Sequence, residues 1–349
     1  MGKPMRSRRY KIARKIQETA NTLSVFLVSE DAAALESFRA GQHLAVEVPG
    51  VGDRNYVLSA FSAQPRTYRL TIVHGDPSAG SDGAVAYWTK QATKGDVLEA
   101  RGPEGGFHLP AELTRPVVVL SKDIGEAAVT PIAEELAVRA AHHHAVFLHG
   151  TFNSATFALK GKLASLKADL PQASWKIWFS HPLRFDRPGR AYDLGGELDL
   201  GECLDFLPQE EFDAYVCGPD EFVARTEAAL RGLGARCRNL FTQSMGVTIA
   251  PPVDVEPEGQ LPPLAPQAVT FARSGKQGTW TVDNGTLLEF AESLGIKVPF
   301  SCRTGMCGTC AHKIVAGDVV KVRQTTARIG EHHQLLCSTV PVSALTVEL

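Results

Sequence analysis

Four cysteines near the C-terminal end constrain this chain more than any other feature. Cys302, Cys307 and Cys310 follow the spacing C-x4-C-x2-C, and Cys337 comes after 26 further residues. This spacing is the plant-type pattern for a [2Fe–2S] cluster, in which four cysteine thiolates hold two irons. The sequence therefore predicts a metal centre that carries single electrons, with these four cysteines as its ligands.

A structural zinc site and disulfide bonds are the alternatives for cysteines in this arrangement. Zinc sites usually pair one C-x2-C with a second C-x2-C or with histidines, and no such partner stands in the chain. Gly305 and Gly308 favour the cluster, because glycine lets the backbone bend close to the sulfurs. The remaining cysteines, at 203, 217 and 237, lie far apart, so a reducing cytoplasm is the expected compartment.

Composition excludes several other classes of function. The chain has 349 residues, of which 44% are hydrophobic and 21% charged, and this length predicts two or three soluble domains. A net charge of −2 does not indicate a nucleic-acid-binding protein. No apolar run is long enough for a membrane span. The basic stretch from Lys3 to Lys15 lacks the apolar core of a secretory signal, and we expect a frayed, solvated tail there.

Proline and strand patterns divide the chain into units. Six prolines in residues 251–266 predict a semi-rigid linker before a cysteine-bearing unit at 267–349. Residues 1–113 carry short alternating strands typical of a barrel. Residues 114–250 alternate between strands and helices from the apolar run Val117–Leu120 onward, which predicts a doubly wound α/β sheet. Ligands in such sheets bind at the carboxyl ends of the strands.

Short motifs stand at the places where this organisation expects ligands. Arg54 and Tyr56 lie among the barrel strands, and Gly83 opens a predicted helix. Residues 130–131 are Thr-Pro after the first α/β strand, and residues 217–219 are Cys-Gly-Pro after a later one. Each motif is weak alone, and their order along the chain is the informative property.

With these motifs in this order, the chain resembles the ferredoxin–NADP reductase superfamily. Its layout is similar to oxygenase reductases of the phthalate dioxygenase reductase type, and residues 20–245 resemble the reductase half of flavohaemoglobin. The resemblance implies a multidomain fold: an antiparallel β-barrel for a flavin, a doubly wound α/β domain for a nicotinamide nucleotide, and a β-grasp ferredoxin domain.

The resemblance implies flavin-binding roles for the segment 54–59. Arg54 would hold a flavin phosphate as a charged fork, and Tyr56 would lie against the isoalloxazine ring. Val57 replaces a serine or threonine that bonds the flavin N5 edge in relatives, so Ser59 or a backbone N–H is the expected substitute. An arginine and a tyrosine on an ordinary strand are the alternative explanation.

A second flavin contact is implied at the Gly83 turn. The turn resembles the Gly-x-x-Ser phosphate-binding turn, with Ala86 in place of the serine, and a plain helix start is the alternative. Phe241 would shield the ring, although a core aromatic is equally consistent with its position. The implied flavin contacts of this group are Gly83, Ala84, Val85, Ala86 and Phe241.

The nicotinamide loop departs from the pattern of the resembled family. Gly125, Thr130 and Pro131 are retained from the Gly-x-Gly-x-Thr-Pro loop and are implied cofactor contacts. Asp123 and Glu126 bring negative charge toward the expected pyrophosphate, which disfavours binding of an anionic nucleotide.

The Cys-Gly-Pro motif is better preserved. The resemblance implies that Cys217 borders the nicotinamide, with Gly218 and Pro219 as further contacts, and assigns Tyr56 and Cys217 to the catalytic region. A small buried core residue is the alternative for Cys217. No arginine stands at 150–155 for a 2′-phosphate, which favours NADH over NADPH.

The leading hypothesis is an NADH-dependent flavin and iron–sulfur reductase that passes single electrons to a terminal oxygenase, of the Rieske type or a similar one. FAD is favoured over FMN. An electron-transfer subunit that has lost NADH binding is the alternative, and a cluster-based sensor is a third. The C-terminal unit holds eight Lys/Arg and six Asp/Glu, and Arg303 in the cysteine loop is predicted to face an acidic or neutral acceptor protein.

Overall fold

The computed structural model describes residues 7–74, 83–246 and 264–349. These residues form three large sheets and one small one. The first sheet belongs to the barrel region, the second to the α/β region and the third to the cysteine-bearing region. Of the predicted linker 251–266, residues 251–263 lie outside the described residues.

The barrel sheet is antiparallel. Its strands are β1 (Arg8–Thr19), β2 (Thr22–Ser29), β3 (His43–Val48), β4 (Gly52–Val57), β5 (Tyr68–Val73) and β6 (Val97–Glu104). They are ordered β4-β3-β6-β1-β2-β5. A short helix α1 (Gly83–Ala86) continues as a π-helical turn over Tyr87–Gln91, and Trp88 from this turn is fully buried in the barrel core.

The basic N-terminal stretch corrects the prediction of a frayed tail. Its described part, from Arg8 onward, is the strand β1, paired with β2 and β6. Tyr10 and Ile12 alternate with the basic residues and are buried. Apolar and basic side chains therefore alternate with the two-residue period of a β-strand, and burial of the apolar face holds the strand in the sheet.

The α/β sheet is parallel. Its strands are β7 (Val117–Lys122), β8 (Ala145–Thr151), β9 (Ala173–Phe179), β10 (Leu194–Gly195), β11 (Phe212–Gly218) and β12 (Cys237–Ser244). They are ordered β10-β9-β8-β7-β11-β12. The helices are α2 (Glu126–Ala140), α3 (Lys160–Asp169), α4 (Leu200–Cys203) and α5 (Asp220–Gly232).

Helix α2 begins earlier than its sequence suggests. The sequence pattern predicts a helix over Pro131–Ala140, yet Pro131 lies inside the observed helix. The turn that precedes Pro131 buries Ala128 and Val129 in the core of the α/β region, and this packing favours a start at Glu126. Because Pro131 is the sixth residue of α2, it lies beyond the first turn and removes one i→i−4 hydrogen bond from the helix.

The third region is a mixed sheet that packs on one helix. Its strands are β13 (Gln267–Phe271), β14 (Lys276–Trp280), β15 (Ala311–Ala316), β17 (His333–Leu335) and β19 (Leu345–Val347), with β16 (Val319–Lys321) and β18 (Thr339–Pro341) as a separate pair. The large sheet is ordered β14-β13-β19-β15-β17. Helix α6 (Leu287–Ser293) confirms the helix that the sequence predicts over Thr286–Leu294, and Thr286 forms a capping box with Glu289 at its start.

Single 3₁₀ turns complete the described elements, and they cover Asp123–Gly125, Leu204–Phe206, Gly234–Arg236, Val282–Asn284 and Leu336–Ser338.

Contacts between the regions bring the three sheets together. The carboxylate of Glu135 on α2 accepts the Ala40 amide at 2.6 Å, and that of Glu134 accepts the Phe61 amide at 2.6 Å. Phe185, from the α/β region, packs into the core of the cysteine-bearing region. The Thr304 hydroxyl of the cysteine loop donates to the carbonyl oxygen of Glu18 on β1. The cysteine loop is therefore held against both of the other regions.

Candidate functional site: a cleft beside a four-cysteine loop

The four motif cysteines form two pairs. Cys302 and Cys307 are linked by amide-to-sulfur hydrogen bonds, and the thiols of Cys310 and Cys337 are close enough to interact. The hydrogen bond from Cys302 lowers the pKa of Cys307 to about 4, and that from Cys310 lowers the pKa of Cys337 to about 6. One thiol in each pair is thus ready to act as the thiolate that a metal requires.

Two separated pairs fit a binuclear centre better than a mononuclear one. Within the described residues, no three His, Cys, Asp or Glu side chains gather where one metal ion could be held. A single zinc needs four ligands around one point, whereas a [2Fe–2S] cluster takes two thiolates on each iron. The donor set fits the cluster: Cys302 and Cys307 would hold one iron, and Cys310 and Cys337 would hold the other.

Backbone amides already point at the sulfurs. The amides of Thr304 and Cys307 each donate to Cys302 Sγ at 3.4 Å, and the amide of Cys302 donates to Cys307 Sγ at 3.5 Å. Gly305 permits this fold of the loop, since its φ is +88° and a Cβ there would meet Ser338 Oγ at 2.5 Å. Such N–H···S bonds are one means by which proteins set a cluster's reduction potential.

Arg303 does not occupy the exposed docking position that its sequence suggests. Its guanidinium forms a fork with the Glu292 carboxylate and lies 3.7 Å from the Phe300 ring centroid. Its side chain is only 13% exposed. The predicted role in meeting an acceptor protein is therefore corrected to a structural one, because its charge is already neutralised within the domain.

A cleft of about 550 Å³ opens between the barrel and the α/β sheet. Arg54, Tyr56 and Val57 line it from β4, and Ala84 and Val85 line it from α1. The predicted flavin motif and its helical turn thus face one space.

The wall of this cleft includes residues that sequence reasoning missed. Thr71–Val73 on β5 contribute to it, and so do Gln243, Ser244 and Met245 at the end of β12. Phe241, which was the expected ring shield, instead stacks on Tyr215 with centroids 4.8 Å apart and is not among the residues that line the cleft. The pairing of Cys217 with Gln243 in the parallel sheet is the feature that places the later residues there.

Tyr56 is oriented by the barrel core. The Trp88 indole N–H donates to the Tyr56 hydroxyl at 2.7 Å, and the two rings meet edge-to-face at 5.5 Å. Tyr56 is half-buried and Trp88 is fully buried. A ring held in this way can present a face to a planar ligand in the cleft.

We expect Tyr56→Phe to cost about 1–3 kcal/mol of unfolding free energy, because the buried indole N–H loses its acceptor. Urea denaturation measures this cost, and flavin retention after gel filtration measures the effect on the cleft. Trp88→Phe/Tyr56→Phe is the matched control, since the donor is then removed as well. If the double variant loses less unfolding free energy than Tyr56→Phe and Trp88→Phe lose together, the hydrogen bond is supported. Losses that simply add would contradict it.

Ser59 and Ala86 lie away from the main cleft. Ser59 is buried, donates to the Arg69 carbonyl oxygen at 3.2 Å and accepts from the Thr71 hydroxyl at 2.7 Å. It lines a second cavity, of about 380 Å³. Ala86 lines neither space, whereas Gly83 packs against Val51, where a Cβ would meet Val51 Cγ2 at 3.1 Å.

The two retained glycines of the nicotinamide motifs pack against each other's loops. A Cβ on Gly125 would lie 2.3 Å from the Cys217 carbonyl oxygen, and one on Gly218 would lie 2.9 Å from the Lys122 carbonyl oxygen. The Cys217 thiol is fully buried, donates to the Gly125 carbonyl oxygen at 3.3 Å, and has a pKa raised by burial. Pro219 alone of residues 217–219 lines the cleft.

The Thr-Pro pair lies behind this loop. The Thr130 hydroxyl donates to the Glu126 carbonyl oxygen at 3.2 Å and borders the second cavity, and Pro131 is buried within α2. These contacts indicate that Thr130 and Pro131 help to fix the conformation of the loop that contains Gly125.

The two acids of the loop are less repulsive than their charges suggest. Burial raises the pKa of Glu126 to about 8 and that of Asp123 to about 6. The Glu126 carboxyl accepts the Leu159 amide at 2.9 Å and lies 3.9 Å from His149, whose pKa burial lowers to about 3. Glu126 and His149 are therefore both neutral at pH 7 and form no ion pair.

The cleft and the second cavity share part of their walls. Thr22, Thr71, Glu126 and Ala127 line both spaces. The second cavity reaches Phe300 and Ser301, which directly precede Cys302. The second cavity thus lies between the flavin-type cleft and the cysteine loop.

Comparisons with known proteins agree with this arrangement. Residues 272–342 match the 2Fe-2S iron-sulfur cluster binding domain family. The flavohemoprotein of Rhizobium meliloti is 31% identical over 235 residues, which are 65% of this chain and 57% of that protein. The chain thus spans little more than half of this relative.

Solved structures show the same domains. The FAD/NAD binding domain of a Vibrio cholerae nitric oxide dioxygenase is 26% identical with a TM-score of 0.59, and the match covers 68% of this chain and 98% of that one. Phthalate dioxygenase reductase is 21% identical with a TM-score of 0.53, and the match covers 98% and 97% of the two chains.

The predicted resemblance, fold class and [2Fe–2S] centre are confirmed at this level. No helix among the described residues is long and apolar enough to cross a bilayer. The chain therefore joins a 2Fe–2S iron–sulfur cluster binding domain to a barrel and an α/β domain with the FAD/NAD-binding reductase fold of the flavohemoproteins and phthalate dioxygenase reductase.

Proposed function

We propose that this protein is a cytoplasmic NADH-dependent reductase that passes single electrons to a terminal oxygenase component. The observation that carries the proposal is the shared wall of the two cavities, which links the flavin-type cleft to the residues before Cys302. Phthalate dioxygenase reductase, which has the same domain order, transfers electrons from pyridine nucleotides to [2Fe-2S]. An oxygenase is the acceptor class that this likeness favours.

The residues of the cleft divide between two ligands. Arg54 and the amides of Gly83, Ala84 and Val85 would hold the phosphates of FAD, with FMN as the alternative flavin, and Tyr56 would lie against the ring. Pro219 and the loop built on Gly125 and Cys217 would position the nicotinamide. When bound, the flavin supplies hydride acceptance and one-electron release, and the cluster supplies one-electron carriage.

Val57 and Ser59 leave the ring edge without a hydroxyl from this segment. Val57 lines the cleft but has no hydrogen-bonding side chain, and the Ser59 hydroxyl is held by Arg69 and Thr71. The Thr71 side chain lines both cavities and donates to Ser59. Backbone amides are therefore the donors available to the flavin from this segment.

Anaerobic addition of NADH to the purified protein tests the proposal. Bleaching of the flavin absorbance, followed by loss of the cluster absorbance and reduction of cytochrome c, is the expected sequence. Iron, sulfide and flavin are quantified in the same sample. Protein that contains all of these and responds to dithionite but not to NADH would overturn the nucleotide step.

That second outcome defines the competing function, an electron-transfer subunit that is reduced by another protein. Asp123 favours it, because this acid lines the cleft with φ at +48° in a position next to the expected pyrophosphate. The neutral state of Glu126 opposes it, because one of the two suspected charges is absent at pH 7.

The acids predict the pH dependence of NADH binding. Deprotonation puts negative charge beside an anionic dinucleotide, so the KM for NADH should rise as the pH passes about 6 for Asp123 and again near about 8 for Glu126. Steady-state kinetics with ferricyanide as acceptor measure this rise while kcat stays nearly constant.

Two substitutions separate the two rises. Glu126→Gln should remove the upper one and Asp123→Asn the lower one, and asparagine tolerates the left-handed backbone at position 123. A KM that does not change across this range in the wild-type protein would show that neither carboxyl group faces the nucleotide.

A further inference from the structure

Arg323 is a buried cation whose partner is not a carboxylate. Its residue is 3% exposed, and its guanidinium donates to the Arg303 carbonyl oxygen at 3.0 Å. Among the residues that the structure describes, no carboxylate forms an ion pair with it. A guanidinium that is buried in this way needs a negative partner nearby.

The cysteine ligands supply that partner. The Val322 amide bonds to the Ser338 carbonyl oxygen at 2.9 Å, so the chain at Arg323 runs alongside the chain at Cys337. The Arg303 carbonyl oxygen that accepts from the guanidinium belongs to the residue that follows Cys302. A cluster held by these four thiolates would be anionic and would balance the charge of the guanidinium.

A second cation reaches the same neighbourhood from another domain. Lys160, the first residue of α3, places its Nζ 3.3 Å from Glu289 Oε1 on α6. Both side chains are largely buried, at 13% and 16% exposure. Lys160 and Arg323 together hold the pKa of Glu289 down at about 2, against the opposing effect of burial.

The Lys160 contact is fixed by close packing at the next residue. A Cβ on Gly161 would lie 2.2 Å from the Ser301 carbonyl oxygen, so the start of α3 touches the residue before Cys302. Arg303, the other cation in the loop, is already neutralised by Glu292. Arg323 is therefore the cation of the cysteine loop region that has no carboxylate partner. The effect of its charge on the cluster depends on the Lys160–Glu289 pair.

We infer that Lys160 of the α/β domain tunes the reduction potential of the cluster in the neighbouring domain, by neutralising Glu289 so that the charge of Arg323 acts on the cluster. Reduction adds one negative charge to the cluster, so nearby positive charge raises its potential. Docking of the α/β domain on the cluster domain thus makes the cluster a better acceptor for electrons that come from the cleft. Lys160 and Glu289 act only through their charges, and neither is proposed to touch a substrate.

Potentiometric titration of the full-length holoprotein, followed by the EPR signal of the reduced cluster, tests this inference. Lys160→Gln should shift the midpoint potential to more negative values, because Glu289 is left unpaired. Glu289→Gln should shift it to more positive values, and glutamine keeps the capping box of α6. Lys160→Gln/Glu289→Gln should return it close to the wild-type value.

Lys167→Gln, an exposed substitution on the same helix, is the matched control and should leave the potential unchanged. Shifts in the same direction for Lys160→Gln and Glu289→Gln would indicate a general disturbance of packing and overturn the inference, as would no shift in either. Arg323→Gln should give a more negative potential than wild type, and an unchanged potential in that variant removes Arg323 from the scheme.

The inference rests on the cluster of the proposed function, and the same samples separate the two failures. Protein without stoichiometric iron and sulfide would defeat the proposed function. Protein with an intact cluster whose potential ignores these charges would defeat only the inference.

Discussion

Cys337→Ala protein will contain little iron or sulfide and will lose nearly all reduction of cytochrome c. Cys337 is the proposed ligand that comes from outside the 302–310 loop, and it is buried beside Cys310. Without it, the second iron keeps one thiolate from the protein and the cluster cannot close. NADH should still bleach the flavin, because the cleft lies on the far side of the second cavity.

The measurements are iron and sulfide content, EPR after dithionite, and rates with ferricyanide and cytochrome c. Cys237→Ala is the matched control, since this half-buried thiol of β12 lies outside the motif. It should leave all four measurements unchanged. Full cytochrome c reduction by Cys337→Ala protein would show that electrons bypass the cluster.

Gly161→Ala should slow electron transfer from the cleft to the cluster several-fold, because the rate of electron transfer falls as the distance between two redox centres grows. The added Cβ would meet the Ser301 carbonyl oxygen at 2.2 Å, and a backbone atom cannot turn aside as a side chain can. The cysteine loop must therefore move away from α3. Stopped-flow absorbance under anaerobic conditions follows the two centres separately.

Gly232→Ala provides the comparison, because it also lies in a helix and a Cβ there would meet nothing within 4 Å. Alanine generally favours a helix over glycine by about 0.5–1 kcal/mol, so this control should be neutral or slightly stabilising. Flavin bleaching by NADH should be unaffected in both variants. Equal rates of cluster reduction in the two proteins would mean that the contact with Ser301 does not set the distance.

The parts of the fold that the sequence predicted are those with strong local periodicity. β5 matches the strand that the alternation predicts over Tyr68–Val73, and α6 begins beside Thr286, where the sequence predicts a helix start. β1 was missed because its basic residues concealed the alternation of Tyr10 and Ile12. β12 was missed because it is an edge strand with few buried positions, and only its pairing with β11 gives it a place.

The candidate site divides in the same way. The cysteines were predictable because their spacing along the chain is itself the requirement of the chemistry. The contributions of Gln243 and Ser244 were not predictable, because polar residues at a strand end enter a cleft only through the order of the sheet. The charge of Glu126 could not be predicted either, since its pKa depends on burial that the sequence does not show.

The contacts of the cysteine loop with β1 and α3 give the proposed cluster two different sides. On the Cys302 side, Thr304 bonds to β1 and Ser301 touches α3. On the other side, Cys307 is half-buried and Thr309 is exposed. A donor inside the molecule and an acceptor outside it can therefore face the same centre at once, and turnover requires no release of the C-terminal domain between loading and delivery.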